Sequence, residues 1–239
     1  MKHRLYVRGP LAADQPLTLD RDRAHYLTRV LRLRRGERLV CFDGSGCAWE
    51  ASLLEATPRT AVLAIGPVIA EEPPPSPQLH LVQGLLKGAS MDAVVQKSTE
   101  LGATDLWLIR AERSNAATDA ERSARKLEHW QRVVESAAEQ CGALHLPRLH
   151  PLRDLQAFLA TPPSATLMML DPGAEPLPLS VPRAAVALLI GPEGGWSDGE
   201  RQAALAAGAS RYGLGARVLR AETAPLAALA ALRHGWGWG

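Results

Sequence analysis

A glycine-rich segment around one glutamate has the residue types and spacing of a ligand-binding loop. Residues 191–195, Gly-Pro-Glu-Gly-Gly, directly follow residues 186–190, an apolar run of strand length. Behind the segment, Ser197 and Glu200 have the spacing of a helix capping box. Ligands bind α/β sheets where the carboxyl end of a strand meets a helix, so this segment predicts a binding loop. A plain strand-to-helix turn has a similar composition and stays open as the alternative.

A second candidate segment, residues 214–224, lies one predicted helix later and has the sequence LGARVLRAETA. Arginines in a strand-end loop suit a phosphate, or negative charge that develops on a substrate. The structural alternatives are core packing for Leu214 and Leu219 and a surface position for the arginines. Glu222 and Thr223 are alternatively the capping residues of the last helix.

The two segments resemble the signature of the RsmE family, the 16S ribosomal RNA uridine-N3 methyltransferases of the SPOUT class. The family's pattern is close to G-P-E-G-G-[FWL]-S-x-x-E followed by L-G-x-R-[IV]-L-R-x-E-T-A, and this chain has it at residues 191–200 and 214–224. Ala221 departs from the pattern because threonine is common there, and Ser90 stands where lysine is frequent. The resemblance spans nearly the whole chain, with further matches at residues 25–27, 29–32, 87–88, 96–102, 112–114 and 139–142.

The resemblance implies a pocket for S-adenosylmethionine (AdoMet), with adenine contacts from the backbone of residues 214–219. The implied cofactor-binding residues are Leu170, Ile190, Gly191, Glu193, Gly195, Leu214, Gly215, Val218, Leu219 and Thr223. No metal is expected, since methyl transfer needs none and the chain has no His/Cys/Asp cluster with ligand spacing.

The implied reaction moves the sulfonium methyl group to N3 of a uracil. N3 carries a weakly acidic proton, so the enzyme needs a base nearby or a cation that stabilises the enolate. We expect Arg220 to stabilise that charge, and Glu193 to act as the base or to orient the ligand. Because N3 lies on the Watson–Crick edge, the target must be unpaired or flipped out.

A cluster of basic residues near the N-terminus favours a nucleic-acid partner, although the formal net charge of the chain is only +2. Residues 21–38 contain seven arginines against Asp22 and Glu37, which is typical of a phosphate-binding face. A solvated basic surface is the alternative. With the resemblance, we expect contacts to 16S ribosomal RNA in the small ribosomal subunit from His25, Arg29, Arg32, Arg34, Lys87, Arg113 and Arg217.

Two domains are predicted, at residues 1–71 and 78–239, with a proline-rich extended linker between them. The first has candidate strands at 17–19, 38–42, 49–54 and 60–65, a hairpin turn at 43–46 and a helix over 25–33. This pattern predicts a small β-barrel, and the resemblance implies that it is a PUA-like RNA-binding domain.

The second domain alternates strands and helices, which predicts an α/β fold with a mostly parallel sheet. Periodicity alone favours an ordinary doubly wound sheet, whereas the resemblance implies a SPOUT-type C-terminal trefoil knot from about Leu167 onward. The predicted strands cover residues 79–86, 106–109, 166–170, 186–190 and 211–214. The predicted helices cover residues 91–101, 127–141, 152–160, 198–207 and 224–232.

Composition and missing motifs exclude several classes. The chain is 46% hydrophobic and 22% charged, as in soluble globular proteins, and it has neither a G-x-G-x-x-G after a predicted strand nor a P-loop. Three cysteines leave an odd thiol and favour a reducing compartment; Cys141 is expected in the core. Without an apolar signal core or a membrane-length run, a cytosolic location is expected.

The last predicted helix is apolar on nearly every side, which indicates burial all round. SPOUT proteins are typically homodimers, so we expect part of this burial to come from a partner chain. Two other functions stay open: a SPOUT methyltransferase that acts on transfer RNA, and a non-catalytic RNA-binding module.

Overall fold

The computed structural model describes residues 3–57, 59–114, 120–178 and 181–237. The chain forms two compact units, the first comprising Met1–Pro74 with Ala138–His145 and the second Pro75–Ala137 with Leu146–Gly239. Within the described ranges, no helix has the length and apolar character needed to cross a membrane.

The first unit contains a five-stranded sheet in the order β1-β3-β4-β5-β2. Its strands are β1 (Arg4–Tyr6), β2 (Pro16–Leu19), β3 (Arg38–Phe42), β4 (Cys47–Ala56) and β5 (Ala61–Glu71). The predicted hairpin turn between β3 and β4 is confirmed, and β1, which was not predicted, pairs parallel to β3. β4 and β5 are longer than predicted because they pair with each other from Cys47↔Glu71 to Ala56↔Ala61. The core beneath the sheet includes Leu5, Leu27, Leu39, Leu53 and Leu63, all fully buried.

The basic stretch of the first unit forms helix α1 (Arg21–His25), followed by a π-helical turn (Tyr26–Val30). The prediction of one helix over residues 25–33 was therefore wrong. The helix begins earlier because the Asp20 carboxylate caps it, accepting a hydrogen bond from the Arg23 N–H at 2.9 Å. The helical backbone does not continue from the π-helical turn to residue 33, because Arg32 adopts a left-handed φ of +56°.

The second unit contains a parallel sheet in the order β12-β10-β11-β6-β7-β8, with β9 also paired to β7. The prediction of a mostly parallel sheet is confirmed. The strands are β6 (Leu79–Gly84), β7 (Asp105–Arg110), β8 (Arg148–Leu149), β9 (Arg153–Asp154), β10 (Thr166–Leu170), β11 (Val186–Ile190) and β12 (Ser210–Tyr212). The helices are α2 (Ala89–Glu100), α3 (Ala120–Cys141), α4 (Leu155–Ala160), α5 (Asp198–Ala206) and α6 (Thr223–Gly235).

The central strand β11 is buried at all five positions, as expected for a strand with both faces covered. Its last residue, Ile190, pairs with Leu170 of β10, and Leu170 pairs in turn with Tyr212 of β12. The carboxyl ends of these three strands therefore lie side by side. The loops that leave them start from one edge of the sheet, and this edge carries the candidate site.

The capping box that opens α5 is confirmed. Ser197 Oγ accepts from the Glu200 N–H at 3.1 Å, and Glu200 Oε2 accepts from the Ser197 N–H at 2.9 Å. Both groups are buried. This reciprocal pair fixes where the glycine-rich loop ends and the helix begins.

The end of α3 and the residues after it belong to the first unit, although they are distant in sequence. Glu139 Oε1 accepts from the Tyr6 N–H at 2.9 Å and from Arg23 Nη1 at 3.0 Å. The carbonyl of Gly142 accepts from Arg4 Nη2 at 2.8 Å. These contacts explain why residues 138–145 group with β1 and α1.

The prediction that Cys141 lies in the core was wrong, since Cys141 is exposed on the last turn of α3. The amphipathic pattern of α3 does not extend to its final residue. Cys41 is the buried thiol. Its burial, and to a smaller extent the nearby Glu139 carboxylate, raise the pKa of Cys41 to about 12. A thiol with this pKa is protonated at neutral pH and therefore unreactive.

Candidate active site

A cavity of about 520 Å³ lies at the carboxyl ends of β10, β11 and β12. Three loops build its walls: residues 170–172, residues 190–196 and residues 212–222. This is the edge at which parallel sheets bind their ligands, and the volume is in the usual range for cofactor pockets.

The cavity brings together residues from both segments that the sequence singled out. Of the implied cofactor-binding residues, those that line it are Leu170, Ile190, Gly191, Glu193, Gly195, Leu214, Gly215, Val218 and Leu219. Thr223 is not among the lining residues; it is exposed as the first residue of α6. The residue that caps this helix is Glu222, and its side chain makes no capping hydrogen bond.

The backbone of the glycine-rich loop turns sharply and leaves the cavity open. The Gly195 N–H donates to the Pro192 carbonyl at 2.8 Å, and Gly195 has a left-handed φ of +67°. A Cβ added to Gly191 would lie 3.2 Å from the backbone of Gly195, tighter than most real contacts. The left-handed φ favours glycine at residue 195, and a side chain at residue 191 would require the loop to shift by a few tenths of an ångström.

The walls suit an organic cofactor with an apolar body. Leu170 and Ile190 provide buried apolar surface, and Val218 lines the same cavity while 77% exposed. The Trp196 Nε1 atom is buried and has no hydrogen-bond partner among the described residues. An exposed valine on the wall of a cavity fits a site that a bound ligand covers, so these residues fit AdoMet.

Glu193 and Gly194 join the glycine-rich loop to two neighbouring strand ends. Glu193 Oε1 accepts from the backbone N–H of Lys87 at 3.0 Å, and the carbonyl of Gly194 accepts from Arg113 Nη1 at 3.3 Å. A Cβ on Gly194 would lie 2.9 Å from Cβ of Arg113, so the two backbones approach closely. Two of the predicted RNA contacts, Lys87 and Arg113, therefore lie against the loop.

Two arginines line the cavity from residues 212–222. Arg217 and Arg220 are both exposed, and the Arg220 side chain is 85% accessible. Arg220 Nη1 lies 3.9 Å from Oε1 of Glu222, a separation that holds the guanidinium only loosely. The guanidinium is therefore available to a ligand.

The other predicted RNA contacts belong to the first unit. His25, Arg29, Arg32 and Arg34 are exposed on and after α1. Val30, beside them, is 60% exposed and lines a shallow depression with His25. Exposed arginines around an apolar residue form a surface suited to a phosphate backbone and its bases.

The sequence reasoning missed Asp171, which follows β10 directly and lines the cavity. Its carboxylate is buried and forms ion pairs with Arg201 and Arg211. The sequence position of Asp171 could have identified it, because a charged residue immediately after a buried strand lies at the ligand-binding edge of a parallel sheet.

Comparisons with known proteins identify the family. A model described as an RNA methyltransferase domain matches residues 72–233, and one described as an RNA methyltransferase PUA domain matches residues 19–66. The Synechocystis ribosomal RNA small subunit methyltransferase E is 36% identical over 238 residues, covering 96% of this chain and 77% of the relative.

Two solved structures resemble the fold over nearly its whole length. The ribosomal RNA small subunit methyltransferase E of Neisseria gonorrhoeae, bound to S-adenosyl methionine, superimposes with a TM-score of 0.86 at 34% identity, covering 97% of each chain. A Legionella pneumophila protein solved with the cofactor SAM has a TM-score of 0.91 at 32% identity, covering 98% of each chain. Together with the geometry of the pocket, these matches show that the chain belongs to the ribosomal RNA small subunit methyltransferase E family.

Proposed function

We propose that this chain transfers a methyl group from AdoMet to N3 of one uridine in 16S ribosomal RNA. The observation that carries the proposal is the cavity in which residues 190–196 and 212–222 converge, with Arg220 on its wall. The two relatives solved with this cofactor support the choice of AdoMet.

The residues of the pocket divide into those that hold the cofactor and those that act on the base. Leu170, Ile190 and Val218 offer the apolar surface that a purine needs, and the backbone of residues 214–219 offers hydrogen-bonding groups. AdoMet supplies the methyl group on its sulfonium centre. A flipped-out uridine then has to present N3 to this cavity, since a paired base hides that atom.

Arg220 is our candidate for stabilising the uracil. As N3 loses its proton, negative charge spreads to O2 and O4, and a guanidinium close by stabilises that charge more than the neutral base. The loose pairing of Arg220 with Glu222 leaves its donors free for this contact. The step needs no metal ion.

Glu193 is our candidate for orientation rather than for proton removal. Its carboxylate already accepts a hydrogen bond from the Lys87 N–H, and this bond holds residues 191–195 against the end of β6. The proton-accepting role remains the alternative, because a carboxylate has further lone pairs.

RNA contacts are proposed from two places. Arg217 lines the cavity, and Lys87 and Arg113 contact the glycine-rich loop on its wall. The exposed cluster His25, Arg29, Arg32 and Arg34 belongs to the PUA unit. Phosphate contacts of this kind position an RNA without reading its sequence. The RNA substrate is proposed to be the 16S chain within the small ribosomal subunit in the cytoplasm.

We also propose that residues 1–71 and 78–239 act as the RNA-binding and SPOUT-type catalytic domains, with a trefoil knot from about Leu167 onward. A symmetric homodimer is part of this proposal. Leu226, Ala227 and Ala230 of the apolar helix α6 are only half-buried within the chain. A partner would cover them, and light scattering at micromolar concentration tests this with a dimeric mass expected.

Mass mapping of 16S ribosomal RNA from a strain without this gene tests the function. One uridine should lack a methyl group at N3, and the group should return when the parent gene is restored. If the missing methyl group is on a transfer RNA ribose, the substrate is wrong. If no methyl group is missing and calorimetry detects no AdoMet binding, the chain is an RNA-binding module.

A further inference from the structure

Asp171 occupies a special place at the ligand edge of the sheet. It directly follows Leu170, the last residue of β10, and lines the cavity while only 4% exposed. We propose that Asp171 is the positioning residue of the AdoMet pocket, because its buried carboxylate links the loop after β10 to α5 and β12, the elements next to the other two pocket loops. This inference rests on the proposed function and deepens it.

The carboxylate of Asp171 receives guanidinium groups from two different elements. Arg201 of α5 donates from Nε to Oδ2 at 3.1 Å, and Arg211 of β12 contacts the same oxygen through Nη2. The backbone of Asp171 adds a third link, since its N–H donates to the Tyr212 carbonyl at 2.9 Å. One residue thus connects β10, α5 and β12.

Each partner of Asp171 leads to a different wall of the cavity. Arg201 stands beside the glycine-rich loop, where a Cβ on Gly195 would lie 4.0 Å from its Nη2 atom. A bond from Arg201 Nη1 to Asp198 at 2.8 Å keeps this guanidinium in place. Arg211 precedes Tyr212, which lines the cavity and opens the loop that carries Val218 and Arg220.

Charge and hydrogen bonding explain why a carboxylate is needed here. Two guanidinium groups that converge on one buried point repel each other unless an anion lies between them. Both arginines contact Oδ2, and an asparagine oxygen could still accept from them, but asparagine has no charge and leaves the two guanidinium groups uncompensated. The loops would then lose their fixed separation, and the cofactor would bind more weakly, whereas the reacting groups on the uracil side would be unchanged.

Titration calorimetry with AdoMet tests the proposal on the full chain. Asp171→Asn should raise the Kd of AdoMet by about tenfold or more, the scale of losing a charged hydrogen bond. The single-turnover rate at saturating AdoMet should stay within about threefold of the parent, because a positioning residue affects cofactor binding and not the chemical step. Arg211→Lys should keep most of the affinity, and Arg211→Gln should lose about fivefold, since lysine preserves the charge.

Asp105→Asn is the matched control. Asp105 is a half-buried carboxylate that pairs with His80 and His150 and accepts from Thr104, but it lies at the opposite, amino-terminal end of β7. Its loss should lower the melting temperature and leave the Kd of AdoMet unchanged. If Asp171→Asn and Asp105→Asn weaken AdoMet binding equally, or if Asp171→Asn binds AdoMet with the affinity of the parent, the proposal is wrong.

Two further outcomes separate this inference from the proposed function. A parent chain that binds AdoMet and methylates RNA, together with an Asp171→Asn variant that does both equally well, overturns only the role of Asp171. A parent chain that does not bind AdoMet overturns both. If Asp171→Asn does not fold, the two Arg211 variants provide the test, because Arg211 is partly exposed on an edge strand and its replacement should be tolerated. Equal Kd values of AdoMet for Arg211→Lys and Arg211→Gln would contradict the proposal.

Discussion

Glu193 Oε1 accepts a hydrogen bond from the backbone N–H of Lys87 at 3.0 Å. The bond joins the loop after β11 to the loop after β6, and these two strands are neighbours in the sheet with Ile190 opposite Gln83. Gln83 Nε2 also points to the Gly191 carbonyl, at 3.4 Å. The glycine-rich loop is therefore held from the β6 side by a side chain of its own and by one from the strand.

Replacing Glu193 separates orientation from proton removal. Glu193→Gln keeps an acceptor oxygen for Lys87, so AdoMet affinity should change less than about threefold and the single-turnover rate less than about tenfold. Glu193→Ala loses the bond and should raise the Kd of AdoMet by about tenfold. Calorimetry and single-turnover methylation measure both. A drop of about two orders of magnitude or more in rate for Glu193→Gln, at unchanged affinity, would identify a general base instead.

Gly195→Val should abolish detectable AdoMet binding while the fold persists. A β-branched residue cannot adopt the φ of +67° without strain, so the loop must move out of its position beside the cavity. Gly208→Val is the control, since Gly208 has a φ of +88°, open space around it and no place in the cavity wall. Unchanged affinity in a folded Gly195→Val variant would remove this loop from the cofactor site.

The exposed arginines after α1 should control RNA binding and its salt dependence. Replacing Arg29, Arg34 and Arg35 by alanine should flatten the plot of log affinity against log salt by about 0.7–0.9 for each phosphate that is no longer neutralised. Arg32 needs asparagine rather than alanine, because its φ is +56°. Filter binding at several salt concentrations measures the slope, with Arg59→Ala at the β4–β5 turn as a control. A slope equal to that of the parent would mean that the cluster faces solvent.

The Asp105 carboxylate, which pairs with His80 and His150, should make the free energy of unfolding depend on pH in the acid range. Burial alone would raise the pKa of Asp105, but hydrogen bonds from His150, His80 and Thr104 outweigh it and hold the pKa well below its ordinary value of 3.8. Because the pKa of Asp105 is lower in the folded protein than in the unfolded chain, its ionised carboxylate stabilises the fold at pH values above the unfolded pKa. This stabilisation is lost as the pH falls from the unfolded pKa towards the folded pKa. Asp105→Asn should therefore cost about 2 kcal/mol of unfolding free energy at pH 7, and less below about pH 4.

Chemical denaturation from pH 7 to pH 3 tests this dependence. The exposed Asp14 provides the control, because its φ of +61° accepts asparagine and its loss should leave the curve unchanged. An equal free-energy difference between the parent and Asp105→Asn at every pH would contradict the account.

Local patterns predicted the parts of the site that depend on neighbours in sequence. The capping box of Ser197 and Glu200, the buried strand before it and the end of the helix predicted over residues 91–101 follow from propensity and spacing over a few residues. The start of α1 depends on the same rules, but the capping carboxylate of Asp20 was overlooked, so the predicted helix began too late.

Contacts between distant segments could not be predicted in the same way. The pairing of Asp171 with Arg211 needs the parallel register that sets Leu170 opposite Tyr212, and no local pattern fixes that register. The grouping of Glu139 with β1 likewise depends on tertiary contacts across more than a hundred residues. Family resemblance supplied the residues of the pocket, and only the structure supplied the ion pairs that hold its loops.

Arg220 is central to the proposed chemistry. Arg220→Ala should keep AdoMet binding and most RNA binding but lose about two orders of magnitude in kcat, the scale of losing one preorganised donor. Arg220→Lys should recover little, because a point charge does not reproduce a planar guanidinium.

The decisive measurement is single-turnover methylation of 16S ribosomal RNA from a strain without the gene, with labelled AdoMet and mass analysis of the nucleosides. We expect the parent chain to place one methyl group on N3 of a single uridine, and Arg220→Ala to do so about a hundredfold more slowly. A methyl group on a ribose hydroxyl, no transfer at all, or an Arg220→Ala rate close to that of the parent would contradict the proposed chemistry.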